Sequence, residues 1–293
     1  MSSLKEIKSR IASIQNTQKI TSAMGMVANA KLLHAQDMMD KFLRYKDALE
    51  QIVQTLGSPA SPLSEDRGNE GNGKLLLIPI SSNSGLCGAF NSNITRATLQ
   101  RLQELEAQGT TVRLLPIGKK IAHDLHSRGL DCNIGYYNLL EKIEKNGTFA
   151  EVTFLVEFIL QLQQSGEIDR VEFLHHHFKS MGSQVITIDP LPLTDSQPRL
   201  TDAPITPQTD WLTEPSPRQL LQSLTPRLLN AQAYGILLDS LTSEHAARML
   251  AMQTAEDNAN ELLKQLRLLY NKTRQQAITN ELIDIMGGQI QKQ

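Results

Sequence analysis

Between Thr242 and Ile285 the chain runs for some forty residues without a proline or a glycine. Ala, Leu, Met, Gln, Glu, Lys and Arg dominate the stretch, and these residues favour helix. At about 1.5 Å per residue, one unbroken helix of that length spans roughly 65 Å. That is longer than a small domain is wide. A helix so long gains its stability from an apolar face against a partner or from a surrounding sleeve, because isolated helices in water are marginal. Most of what this chain can fold into follows from that requirement.

The N-terminal segment supplies a partner. Leu4, Ile7, Ile11 and Ile14 alternate spacings of three and four, a heptad-like seam. Ser3 with Glu6 fits a capping box. The seam then passes through Gln18, Thr21, Gly25 and Ala28, which are polar or small, and recovers at Leu32, Ala35, Met39, Phe42 and Leu49. Small side chains in the middle let another backbone or a wall come close. Gly57 and the following SPASP end this helix, and 57–73 reads as a linker.

The pattern changes at Lys74. LLLIPI is an apolar run of strand length, suited to a buried parallel sheet. A Ser/Gly/Asn loop, SSNSGLCGAFNSN, opens onto a helix from about Asn91 to Gln108, with Gly109 as its stop. VRLLPIG is a second strand, Lys119–Ser127 a helix and Thr148–Ser165 another, with Thr148 as cap. Val171–Phe178 and Gln184–Ile188 form a hairpin around KSMGS. Strands alternating with helices indicate βαβ units. Residues 190–217 are a Pro-rich connection, with a possible edge strand near Trp211. A last helical run starts at Pro217 after Ser216, and Pro226 and Gly235 are expected to disturb it.

The expected fold class is α/β: a long antiparallel coiled coil of the N- and C-terminal helices with a central Rossmann-like domain. The expected domains are 1–57, 74–190 and 216–293. The alternative packs both helices back on the central domain as a helical layer.

Charge and cysteine content narrow the function classes. The net charge of −2 gives no overall pull towards nucleic acid. The two ends are basic: Lys5, Lys8, Arg10, Lys19 and Lys31 against Glu6, then Lys264, Arg267, Lys272 and Arg274 without an acid between Leu262 and Asn280. Cys87 and Cys132 are too few for a disulfide framework or a four-ligand zinc site. No apolar run reaches the ~18 residues that span a bilayer, so membrane attachment would come through a partner.

Few residues suggest chemistry. The GLCG loop lacks the Gly-Lys-Ser/Thr of a phosphate loop and reads more simply as a tight turn. Cys87 would need a base, and His175 and His177 share a strand face, but nothing in the sequence joins them to it. Histidines partly exposed on a strand are the plainer reading, with metal binding the alternative. Cys132 reads as a small buried side chain, and Glu256, Asp257 and Glu261 as a solvated helix face. No catalytic residue, metal ligand or cofactor is assigned. Arg274, Gln275, Gln276, Thr279, Asn280 and Glu281 are a dense polar group on a helix, which suits either a frayed terminus or a contact surface anchored by Arg274.

SLKEIKSRIASIQNTQKITSAMGMVANAKL, SGLCGAFNSNI and SEHAARMLAMQTAEDNANELLKQLRLLYNKTRQQAITNELIDI stand in this order across the whole chain. Together they resemble the gamma subunits of F-type ATP synthases. The resemblance implies a non-catalytic rotor shaft within a hexamer of alpha and beta subunits. Its α/β domain would lie against the epsilon subunit and the membrane c-ring, peripheral to the cytoplasmic side of the inner (plasma) membrane. It implies that ion flow through the ring turns the shaft, which works on the beta catalytic sites in turn. It implies beta-subunit contacts at Arg274, Gln275, Thr279 and Glu281, and at Met24 and Lys31 on the first helix. The chain departs from the family pattern at Ser22, where Lys is usual, at Gly25, and at Asn83 and Ser84, where Asp-Arg is usual. The absence of a visible transit-type leader points to a bacterial source. The competing classes are a free-standing coiled-coil adaptor with an α/β recognition domain, and a Cys87-dependent enzyme.

Overall fold

The computed structural model describes residues 4–56, 73–130, 132, 136, 138–146, 149–191, 214 and 216–290. They form two compact units. One joins the first helix up to Asn29 with the last helix from Arg248 onward; the other spans Ala30–Ala247. Both chain-end helices, α1 (Leu4–Thr55) and α6 (Pro217–Ile290), contribute to each unit.

In the first unit α1 and α6 pair antiparallel. Gln18 Nε2 donates to Asn260 Oδ1 at 2.6 Å, and a Cβ on Gly25 would lie 3.5 Å from Met252 Cβ. The heptad seam holds through its weak middle: Ile7, Thr21 and Ala28 are buried, and Ile11, Ile14, Gln18 and Gly25 half-buried. On α6 the opposing seam is Met252, Glu256, Ala259, Leu263, Leu266, Tyr270, Thr273 and Ala277, buried or half-buried throughout. Small residues at the contact let the two backbones come close, and a polar pair replaces an apolar knob at Gln18. Ser3, the expected cap, lies outside the described residues.

The second unit is built on a four-stranded sheet of order β2-β1-β3-β4. The strands are β1 (Lys74–Pro79), β2 (Thr111–Leu114), β3 (Arg170–Ser180) and β4 (Ser183–Leu191). β1 pairs parallel with β2 and β3, and β3–β4 is the expected hairpin. The run LLLIPI is apolar throughout because both faces of β1 are covered. Leu75 and Leu77 join Ile94, Leu105 and Ile121 under α2 (Phe90–Ala107) and α3 (Lys119–Ser127). Leu76, Ile78 and Ile80 face the larger core, with Val152 and Ile159 of α5 (Ala150–Gln164) and Leu237 and Leu238 of α6.

Three sequence expectations change. Helix α4 (Leu139–Asn146) was not anticipated; its buried Leu139, Leu140 and Ile143 have helical spacing over too short a run to stand out. Pro226 and Gly235 do not interrupt α6, which is continuous over 74 residues. Pro226 is exposed, so the carbonyl it leaves without an amide partner, on exposed Gln222, faces water. Gly235 makes room: a Cβ there would stand 3.2 Å from the Phe42 ring. The helix start is as read, with Ser216 Oγ accepting from Gln219 N at 3.3 Å. Finally, within this unit α1 and α6 belong to the core of the sheet domain. Nearly every residue from Leu228 to Ala246 is buried, and Phe42 meets Tyr234 edge-on at 4.9 Å. The helical layer on the sheet and the antiparallel pair are thus both present, in different units. Thr148 and Trp211 lie outside the described residues.

Candidate functional site

The loop after β1 is knitted to the loop after β2. Asn83 Oδ1 accepts from Lys119 N at 3.0 Å, and Ser81 Oγ from Ile121 N at 2.9 Å. These bonds engage the first amides of α3, and at α2, onto which the GLCG loop opens, Phe90 N donates to Cys87 O at 3.3 Å. Asn91 Oδ1 accepts from Ser82 N, and Asn91 Nδ2 lies 3.2 Å from Cys87 Sγ. Leu86 and Gly88 take positive φ, and Gly118 packs so closely that a Cβ would meet Ser81 O at 2.1 Å. This is the tight turn of the simpler sequence reading. Asn83 supplies an acceptor to the first amide of α3. Cys87 is buried; the hydrogen bonds of His175 and His177 go elsewhere.

Those histidines belong to a polar cluster between β3, β4 and α6. His175 Nε2 lies 2.8 Å from Asp189 Oδ2 and holds that carboxyl below its ordinary range. His177 Nδ1 lies 2.6 Å from Asp239 Oδ2, while Asp239 Oδ1 accepts from Phe178 N at 2.8 Å. Ser243 Oγ donates to His176 O at 3.0 Å. The His176 ring stacks on Phe90 at 4.0 Å, and burial, with a lesser contribution from His175, pushes its pKa down to about 4. His175 and His176 are buried, where the sequence suggested partial exposure; only His177 is exposed. Among the described residues no group of three or more His, Cys, Asp or Glu is arranged to hold a metal ion.

A second cluster centres on Glu144 of α4. Its Oε1 lies 3.3 Å from His245 Nε2 of α6 and 2.9 Å from Lys31 Nζ of α1. His245 first, then Lys31, holds the Glu144 carboxyl down at about 2. The sequence-predicted contact residue Lys31 therefore has a partner within its own chain. Asp239, Ser243, Glu144 and His245 were not singled out from sequence. The signal was the stretch Asp239–His245, polar except for Leu241, between Leu238 and Ala246 inside a helix otherwise rich in apolar residues.

The other predicted residues lie in the first unit. Met24 is half-buried beside the seam. Arg274, Gln275, Thr279 and Glu281 are exposed on α6, and Thr279 Oγ1 donates to Gln275 O of its own helix at 2.9 Å. Ile278, Leu282 and Ile283 stand exposed among them. Asp257 and Glu261 are exposed, as a solvated face requires, whereas Glu256 is half-buried in the seam with α1. No described helix is long and apolar enough to cross a membrane.

Residues 3–290 match the family model described as ATP synthase. The chain is 46% identical to the ATP synthase gamma chain of Parabacteroides distasonis, over 98% of this chain and 98% of the relative. It is 42% identical to that of Bacteroides fragilis, over 98% and 99%. Among solved structures it resembles a chain of the central stalk and c-ring of the Tetrahymena thermophila mitochondrial ATP synthase. That match has a TM-score of 0.56 and 25% identity, covering 80% of this chain and 99% of the other. The rotor of the Euglena gracilis mitochondrial enzyme shares the fold at TM-score 0.62 and 19% identity, over 94% and 98%. The chain belongs to the ATP synthase gamma-chain family, as the non-catalytic rotor subunit of the central stalk.

Proposed function

We propose that this rotor turns inside a hexamer of alpha and beta subunits, and that α6 presents Arg274, Gln275, Thr279 and Glu281 to the beta subunits. On the same reading Met24 and Lys31 meet a beta segment from α1. The observation that carries the proposal is the surface of α6 from Arg274 to Ile283. There charged, amide and apolar side chains are exposed together, away from the seam with α1. A helix that is polar around much of its circumference and still carries exposed Leu and Ile suits an external partner. Lys31 keeps half of its side chain exposed while paired with Glu144, so a second carboxylate can reach its ammonium with that pair in place.

The segments 1–57, 74–190 and 216–293 then divide the labour between shaft and base. The base lies against the epsilon subunit and the membrane c-ring, which hold the chain peripherally at the cytoplasmic face of the inner (plasma) membrane. Ion flow turns the ring and the shaft with it. A shaft without a ligand of its own shifts a catalytic site only by contacting its conformations differently.

Arg274→Ala in the assembled complex tests the contact. Loss of one charged contact of about 1–3 kcal/mol lowers torque and ATP synthesis. Unchanged synthesis together with unchanged rotation would remove Arg274 from the role.

A further inference from the structure

β3 is longer than β1. β1 pairs with β3 up to Leu174, whose carbonyl accepts from Ile80 N at 2.9 Å. Backbone groups of alternate strand residues face the same edge, so His176 and Phe178 present theirs beyond the end of β1. Helix α6 occupies that edge. Ser243 Oγ donates to His176 O, and Asp239 Oδ1 accepts from Phe178 N. Two side chains thus replace the missing strand, one as donor and one as acceptor. The spacing permits it. Two residues of strand advance about 6.7 Å, and four residues of helix advance about 6.0 Å. Ser243 is fully buried and Asp239 nearly so.

The opposite side of α6 is held too. His245 follows Ser243 by two residues, about 200° around the helix. There it meets Glu144, which also holds Lys31 of α1. Apolar packing resists separation but is non-directional, and it sets the roll of a helix about its own axis only loosely. Hydrogen bonds weaken steeply once their geometry is lost. Rolling α6 by one residue would carry Ser243 and Asp239 away from their backbone partners and leave buried groups unsatisfied.

We propose that Asp239 and Ser243 on one side, and Glu144 with Lys31 and His245 on the other, form a torsional coupling. It locks the roll of α6, and through Lys31 that of α1, to the sheet, so that turning the α/β body turns the helices without slip. The proposal rests on the chain acting as a rotor. Asp239 and Ser243 are positioning residues in this role.

The test uses the assembled motor with a bead attached to the body at Gln103→Cys, an exposed site on α2, in a Cys132→Ser background. The angular variance of the stalled bead gives the rotor's torsional stiffness. With these bonds lost, Asp239→Ala/Ser243→Ala lowers stiffness by roughly twofold or more while ATP hydrolysis continues. Asp239→Asn/Ser243→Thr, which keeps an acceptor and a donor in place, restores it. Leu237→Ala, which removes buried apolar volume and no hydrogen bond, leaves stiffness at the starting value. Wild-type stiffness in the double alanine variant overturns the coupling, and so does equal softening by Leu237→Ala. If the double variant does not assemble, Ser243→Ala alone is read by the same criteria. An otherwise unaltered chain that assembles and does not turn the bead would count against the rotor reading instead.

Discussion

His176→Phe is expected to flatten the acid side of this protein's stability profile. The His176 ring is buried and stacked on Phe90 at 4.0 Å, and neither of its ring nitrogens has a hydrogen-bond partner among the described residues. Burial lowers its pKa from 6.5 to about 4 in the folded chain. The unfolded chain therefore takes up this proton near pH 6.5 and the folded chain only near pH 4. Between those values the unfolded state binds more protons, so stability falls as pH falls. The slope from this one group reaches at most about 1.4 kcal/mol per pH unit, and the whole window is worth about 2–4 kcal/mol. Phenylalanine keeps the ring on Phe90 and cannot be protonated. Glu144 contributes in the same direction but lower, since its stabilisation is lost only as pH falls from the carboxylate range towards about 2. The assay is equilibrium unfolding of the full chain by urea at intervals from pH 7.5 to 4, for wild type and variant. The difference between the two curves should grow steadily on acidification and begin near pH 6.5. A difference that is flat across the window would refute the assignment of this proton to His176.

Two further substitutions probe the backbone. Gly118→Ala should cost about 3 kcal/mol or more. Its φ is +105° and the new Cβ would meet Ser81 O at 2.1 Å, so the melting temperature should collapse; a shift of a degree or two would refute the packing described. Gly25→Ala should do the opposite. Its Cβ finds ordinary contact with Met252 at 3.5 Å, and alanine gains up to about 1 kcal/mol of helix propensity. Hydrogen exchange at neighbouring α1 amides should slow, and faster exchange would show that the two helices lie closer than this.

The elements read correctly from sequence are those whose burial is periodic. The seam from Ile7 to Leu49 follows a heptad spacing and is buried or half-buried at each expected position, even where it passes through Thr21 and Gly25. What the sequence hid lies where burial has no period. From Leu228 to Ala246, α6 is enclosed by α1, the sheet and α4, so its apolar residues mark no single face. Within that segment Asp239 and Ser243 resemble a solvated stripe and His245 a lone polar position on the other side, because their partners lie far away in the chain. Phe178 N and His176 O are backbone groups that no side-chain pattern can announce, and Glu144 sits on a helix of only eight residues. Gly235 misled for a related reason: a helix breaker in isolation is a packing residue once Phe42 lies against it. The contrast has a mechanical sense. The pairing near Gly25 uses small side chains and an amide pair, an arrangement that sets register. The enclosed segment of α6 uses buried charge and backbone hydrogen bonds, which cost desolvation and are kept where orientation must be fixed. On the proposed coupling, slip between helix and sheet is a motion the rotor has to resist, and the buried polar groups are placed where they oppose it.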